Sequence, residues 1–114
     1  VLSYTTSPAY HLMYEDTAKY KAANFLEGHY IQIEVAGILK SSKHYELSRE
    51  FLEFISTDEF QNEIPNKNIM YPVTDIDLPN AFKQLIEPKK ILNLNPNLIH
   101  TSKKDWVDEW LNSQ

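Results

Sequence analysis

The chain has 114 residues and a mass of 13.4 kDa, with 42% hydrophobic and 24% charged residues, which fits one small folded domain and argues against disorder. The absence of cysteine excludes disulfide scaffolds, thiolate zinc sites, iron–sulfur clusters and thiol catalysis. Sixteen acidic against eleven basic residues, a formal charge of −5, lack the basic footprint of a nucleic-acid binder, and no apolar run reaches the ~20 residues of a membrane span.

The opening Val1-Leu2-Ser3-Tyr4 reads as a strand already under way, so the chain is expected to be a piece of a longer polypeptide. Thr5-Thr6-Ser7-Pro8 follows, and hydroxyl residues ahead of a proline predict a helix from residue 8 to about 16. Residues 20–25 are a possible strand and Glu27-Gly28 a turn. Ile31, Ile33 and Val35 alternate with Tyr30, Gln32 and Glu34, the period of a strand with one buried face.

The period then changes. Leu47, Phe51, Phe54 and Ile55 form the apolar stripe of an amphipathic helix, with Glu46, Arg49, Glu50 and Glu53 on its solvent side. Ser56-Thr57-Asp58-Glu59 matches a capping box, which predicts a short helix carrying Phe60 and Ile64 that stops before Pro65. Prolines at 65, 72, 79, 88 and 96 punctuate a stretch of turns and extended chain. Asn95-Pro96 then starts a helix to about residue 112, with Ile99, Trp106 and Trp110 on one face expected to pack inward. The pattern is mixed α/β, rich in helix and short of strands, as if part of the sheet lay outside the chain.

Little of this looks catalytic. The four histidines are scattered, with no HExxH spacing; Asp75 and Asp77 lack the rest of a calcium loop; there is no GxSxG, and two glycines cannot build a phosphate loop. The informative cluster is Tyr4, Tyr10 and Tyr14 beside Thr5, Thr6 and Ser7 at the first strand-to-helix junction. Backbone N–H groups, hydroxyls and aromatic faces meet there, a combination suited to a flat or cationic ligand. The spacing equally allows Tyr10 and Tyr14 to be the packed edge of a helix.

Val1-Leu2-Ser3-Tyr4-Thr5-Thr6-Ser7-Pro8-Ala9-Tyr10-His11 resembles the start of the C-terminal third of the bacterial periplasmic thiamine-binding receptors. The likeness continues through Ala22-Ala23-Asn24-Phe25, Glu27-Gly28-His29-Tyr30, Phe51-Leu52 with Phe54, Phe60-Gln61-Asn62, Ile64-Pro65 and Met70-Tyr71-Pro72-Val73, and includes Trp106 and Trp110. The resemblance implies a two-lobe type 2 periplasmic-binding-protein fold, with residues 1–4 in the strand that crosses the hinge and the rest in the C-terminal part of lobe one. It implies capture of thiamine or a thiamine phosphate in the periplasm and delivery to the membrane permease of an ATP-binding-cassette importer. Catalysis, a cofactor and a metal are not implied. A receptor of the same fold for ferric iron, a polyamine or a phosphonate is the alternative.

By resemblance the ligand-contacting residues are Tyr4, Thr5, Thr6, Ser7 and Tyr10. At position 69 the family pattern has Trp, whereas this chain has Ile69. A piece of such a fold leaves strand edges and apolar surface open, so self-association of the chain is expected.

Overall fold

The computed structural model describes residues 1–113 and divides into two compact units, Val1–Asn24 with Glu34–Glu87, and Phe25–Ile33 with Pro88–Gln114. The α/β class and the excess of helix over strand are as the sequence indicates.

In the first unit, α1 spans Ser7–Tyr14, with Pro8 in its first turn where its missing N–H costs nothing. The amphipathic stripe forms α2, Tyr45–Ile55, and a one-turn helix α3 follows at Asp58–Gln61. The cap of α3 differs from the expected box. Ser56 has helical backbone angles and ends α2, its N–H donating to the Glu53 carbonyl and its hydroxyl to the Leu52 carbonyl at 2.9 Å. Thr57, in the extended region, caps α3 instead and accepts the Phe60 N–H at 3.5 Å. With Thr57 as the cap, the third helical residue is Phe60, which has no side-chain acceptor to close a box, and the Thr57 N–H donates to the Phe54 carbonyl.

Pro65 does not stop the chain either. It enters the first turn of a π-helical segment, Ile64–Asn68, where a proline is tolerated because its N–H is not needed. This segment ends at Ile69, which has φ 54° and ψ 41°. Left-handed backbone is unusual for a β-branched side chain and costs on the order of 1–3 kcal/mol, which the surrounding packing must offset.

The core of this unit is small. Ala9, Ala81 and Phe82 are buried, Pro65 is fully enclosed, and Leu12, Met13, Ile69, Leu78 and Leu85 pack round the cluster. Gln61 is buried with both ends of its amide satisfied: Nε2 donates to the Ile55 carbonyl at 2.6 Å and Oε1 accepts the Val73 N–H at 2.9 Å. One side chain thereby ties the end of α2 to the Met70–Val73 run, as buried polar groups require. Tyr71 then meets Phe82 edge-on, with centroids 5.3 Å apart.

In the second unit, β1 (His29–Tyr30) pairs in parallel with β2 (Ile91–Leu92), His29 opposite Ile91. The preceding turn requires glycine. Gly28 has φ +118°, and a Cβ there would lie 2.9 Å from the Lys90 carbonyl oxygen. Helix α4 spans Pro96–Asn112 and begins as expected, Asn95 Oδ1 accepting the Asn97 N–H at 2.8 Å.

The expected strands and the packed face of the last helix also differ from what is observed. Residues 1–4 and 20–25 form no strand, and of the 30–35 stretch only Tyr30 is in one. Ile33 and Val35 are mostly exposed. A strand needs a partner ladder, and among the described residues only two short segments supply one. The inward face of α4 is also open: the helix buries no residue, and Trp106 and Trp110 remain 40% and 49% exposed. Among the described residues no helix is long and apolar enough to cross a membrane.

Candidate ligand-binding site

The strand-to-helix junction is built by a turn. The Ser7 N–H donates to the Tyr4 carbonyl at 3.0 Å and the Ala9 N–H to the Thr6 carbonyl at 2.9 Å. Two of the N–H groups that the sequence suggested would be free for a ligand are therefore used internally, and Pro8 has none. Thr6 occupies the cap position without a side-chain cap bond and is buried. Ser3 Oγ and Ser7 Oγ lie 2.6 Å apart, and Tyr4 is 62% exposed. What the junction presents outward is hydroxyl and phenol rather than a nest of amides.

One turn further on, Tyr10 and Tyr14 stand side by side on α1, with ring centroids 5.2 Å apart and planes inclined by 42°. Both line an open cleft of about 330 Å³ together with Asn66, Lys67 and Ile69. The Tyr14 hydroxyl donates to the Asn66 carbonyl, and Asn66 Nδ2 donates to the Asn62 carbonyl at 3.0 Å. These bonds clamp the π-helical segment against α1 and fix the cleft's two walls. A tyrosine pair facing an aliphatic side chain offers π-faces and dispersion contact to a planar guest, and favours a cationic one.

Of the five residues singled out from the sequence, the structure brings Tyr10 to this cleft. Tyr4, Thr5, Thr6 and Ser7 stay grouped at the junction and are not part of its lining. Tyr14, Asn66 and Lys67 were missed as site residues. The four-residue spacing of Tyr10 and Tyr14 was the available signal, but it fits a packed helix edge as well. Nothing in the sequence pairs residues 14 and 66.

The Tyr71 phenol, edge-on to Phe82, is pushed above its ordinary value, first by burial and then by the negative charge of Glu87. Among the described residues no group of three or more His, Asp or Glu side chains is placed to hold a metal ion.

A comparison with known proteins bears directly on this arrangement. The chain is 48% identical over 110 residues to the thiamine-binding periplasmic protein of Salmonella typhimurium and 47% identical over the same length to that of Escherichia coli, covering 96% of the chain in each case. It is 43% identical to the Brucella suis protein of the same name. A solved structure described as a periplasmic thiamin binding protein superimposes with a TM-score of 0.85 at 47% identity, over 96% of the chain.

The chain is similar to the thiamine-binding periplasmic proteins over 96% of its own length. It spans about a third of their length, 34% of the Salmonella and Escherichia proteins and 35% of the solved chain. No family model matches it. The resemblance read in the opening run, the Glu-Gly-His-Tyr segment and the Met-Tyr-Pro-Val segment is therefore supported by overall sequence and by fold. Against the thiamine-binding pattern, Ile69 presents an aliphatic surface to the cleft where a tryptophan was expected.

Proposed function

We propose that the chain is part of a periplasmic receptor that captures thiamine or a thiamine phosphate and hands it to the permease of an ATP-binding-cassette importer. The observation that carries this reading is the Tyr10–Tyr14 cleft in a chain 47–48% identical to proteins named for thiamine binding. Thiamine joins a flat aminopyrimidine to a cationic thiazolium, and both rings suit tyrosine faces at about 0.5–2 kcal/mol per good contact. The role is capture and delivery, without a chemical step. Residues 1–4 belong to the hinge crossing and the remainder to the C-terminal part of lobe one, so that Tyr4 couples ligand contact to lobe closure. Tyr4, Thr5, Thr6 and Ser7, grouped at the junction outside the cleft's lining, meet the ligand from the hinge side, and Tyr10 forms the aromatic wall.

The test is calorimetric titration of thiamine into a hybrid in which this chain replaces the matching third of the Escherichia coli relative, with the 114-residue chain run alongside. Saturable binding by the hybrid and weak binding by the chain alone is expected. Tyr10→Ala and Tyr4→Ala each weaken binding about two- to thirtyfold, the range set by one lost aromatic contact. Failure of the hybrid to bind thiamine or its phosphates overturns the assignment of the solute. Unchanged affinity in Tyr4→Ala overturns the hinge role.

A further inference from the structure

Lys67 sits in the last turn of the π-helical segment and lines the aromatic cleft with Tyr10, Tyr14, Asn66 and Ile69. It is the one charged residue on that lining, which contains no carboxylate. Ion pairs among the described residues join His11 to Glu15 and Arg49 to Glu46 and Glu53, and Lys67 is in none of them. Asn66 is already engaged, its carbonyl by the Tyr14 hydroxyl and its amide by the Asn62 carbonyl. The lysine ammonium is thus a cation at an aromatic cleft with no protein anion committed to it.

This arrangement has a chemical consequence. The tyrosine faces attract a flat cation, but the lysine opposes a guest whose only charge is positive. A guest that carries an anionic oxygen group as well as the flat ring satisfies both features. A phosphate supplies acceptor oxygens for charge-assisted hydrogen bonds from an ammonium with three rotatable donors. We infer that Lys67 is a specificity-determining residue that makes this cleft favour a phosphate ester of thiamine over thiamine itself. The inference rests on the thiamine-receptor reading and adds to it a residue and a direction of preference. If Lys67 served only to balance the carbonyl end of its helical turn, its removal would not discriminate between the two ligands.

The experiment titrates thiamine and thiamine monophosphate separately into the hybrid protein described above and into its Lys67→Gln and Lys67→Arg variants, at low and at high salt. The expected result is tighter binding of the monophosphate by the parent hybrid. Lys67→Gln should lose about fivefold in affinity for the monophosphate, as expected for a partly exposed charge pair, with thiamine binding unchanged or slightly stronger. Lys67→Arg should restore the preference, and added salt should narrow it. Equal loss of both ligands in Lys67→Gln, or no loss of either, overturns the inference while the receptor reading stands. Binding of neither ligand by the parent hybrid overturns the receptor reading and the inference with it.

Discussion

The corner between α1 and the π-helical segment differs sharply from the helices α2 and α4. At the corner, residues far apart in sequence meet: Tyr14 bonds to Asn66, Gln61 spans Ile55 and Val73, and Tyr71 stacks edge-on against Phe82. Ala9, Pro65, Ala81 and Phe82 are buried beneath it. Helices α2 and α4 are as regular, yet neither buries a single residue among those described. Their apolar stripes face outward, with Leu47, Phe51 and Phe54 each at least half exposed, and a groove of about 480 Å³ runs beside α2 from Ala36 to Leu52. The lesson is that helix formation and burial are separate events. Caps and spacing suffice for the first; the second needs an opposing surface.

The largest test of that contrast is a pair of truncations. Phe82→Ala removes a buried ring that is 3% exposed and should cost about 3–5 kcal/mol, enough to unfold a unit with so small a core. Phe51→Ala removes a ring that is 55% exposed and should cost about 1 kcal/mol or less. Urea melts followed by circular dichroism separate the two. The same exposed ring has a second consequence: Phe51→Ser should lower the apparent mass of the chain by light scattering if the open apolar faces drive self-association. A chain already monodisperse and monomeric would break that side of the comparison.

A middle-sized effect concerns the helix starts. Asn95 makes a short cap bond at 2.8 Å, whereas the Thr57 bond is long at 3.5 Å. Asn95→Ala should therefore destabilise α4 by about 1 kcal/mol, and Thr57→Ala should destabilise α3 by less. Hydrogen exchange of the first-turn amides measures each helix by itself. Equal effects would mean that bond length is a poor guide to cap strength here.

The smallest effect is electrostatic and probes the packed corner. Burial raises the Tyr71 phenol above its ordinary value of 10, with Glu87 adding to the rise. A raised folded value means that its contribution to stability is fully present below pH ~10 and is lost as pH rises through the folded value. Ultraviolet titration of phenolate should show one tyrosine ionising later than the others. Glu87→Gln should remove only the lesser part of the delay, because burial is the larger cause. Full reversal by Glu87→Gln would show that Tyr71 is not held in the packed corner as described.

Much of the local structure could be read from residues near one another. Asn95-Pro96 marked the start of α4, the period of Leu47, Phe51 and Phe54 marked α2, and Pro8 marked the start of α1. The capping box was read one residue early because Ser56 and Thr57 are both competent caps. Only the length of α2 decides that Ser56 ends one helix and Thr57 begins the next. The strands were over-read at residues 1–4 and 20–25, since alternation and β-propensity describe a side chain's fitness for a sheet and cannot supply the neighbouring strand.

The candidate site was half legible. An aromatic and hydroxyl cluster around Tyr4 and Tyr10 stood out in the sequence, and Ile69 stood out against the family pattern. The cleft itself did not, because it is made where α1 meets a segment more than fifty residues later, through a hydrogen bond from Tyr14 to Asn66. By itself the sequence determined the starts of α1 and α4 and the course of α2, the lack of cysteine chemistry and the similarity to thiamine-binding proteins, all properties carried by neighbouring residues or by direct similarity. Tertiary structure alone decided which tyrosines share a wall, that Lys67 stands at the aromatic cleft and that Ile69 adopts a left-handed turn. Those depend on long-range contacts, and a contact exists only where both surfaces have been brought together.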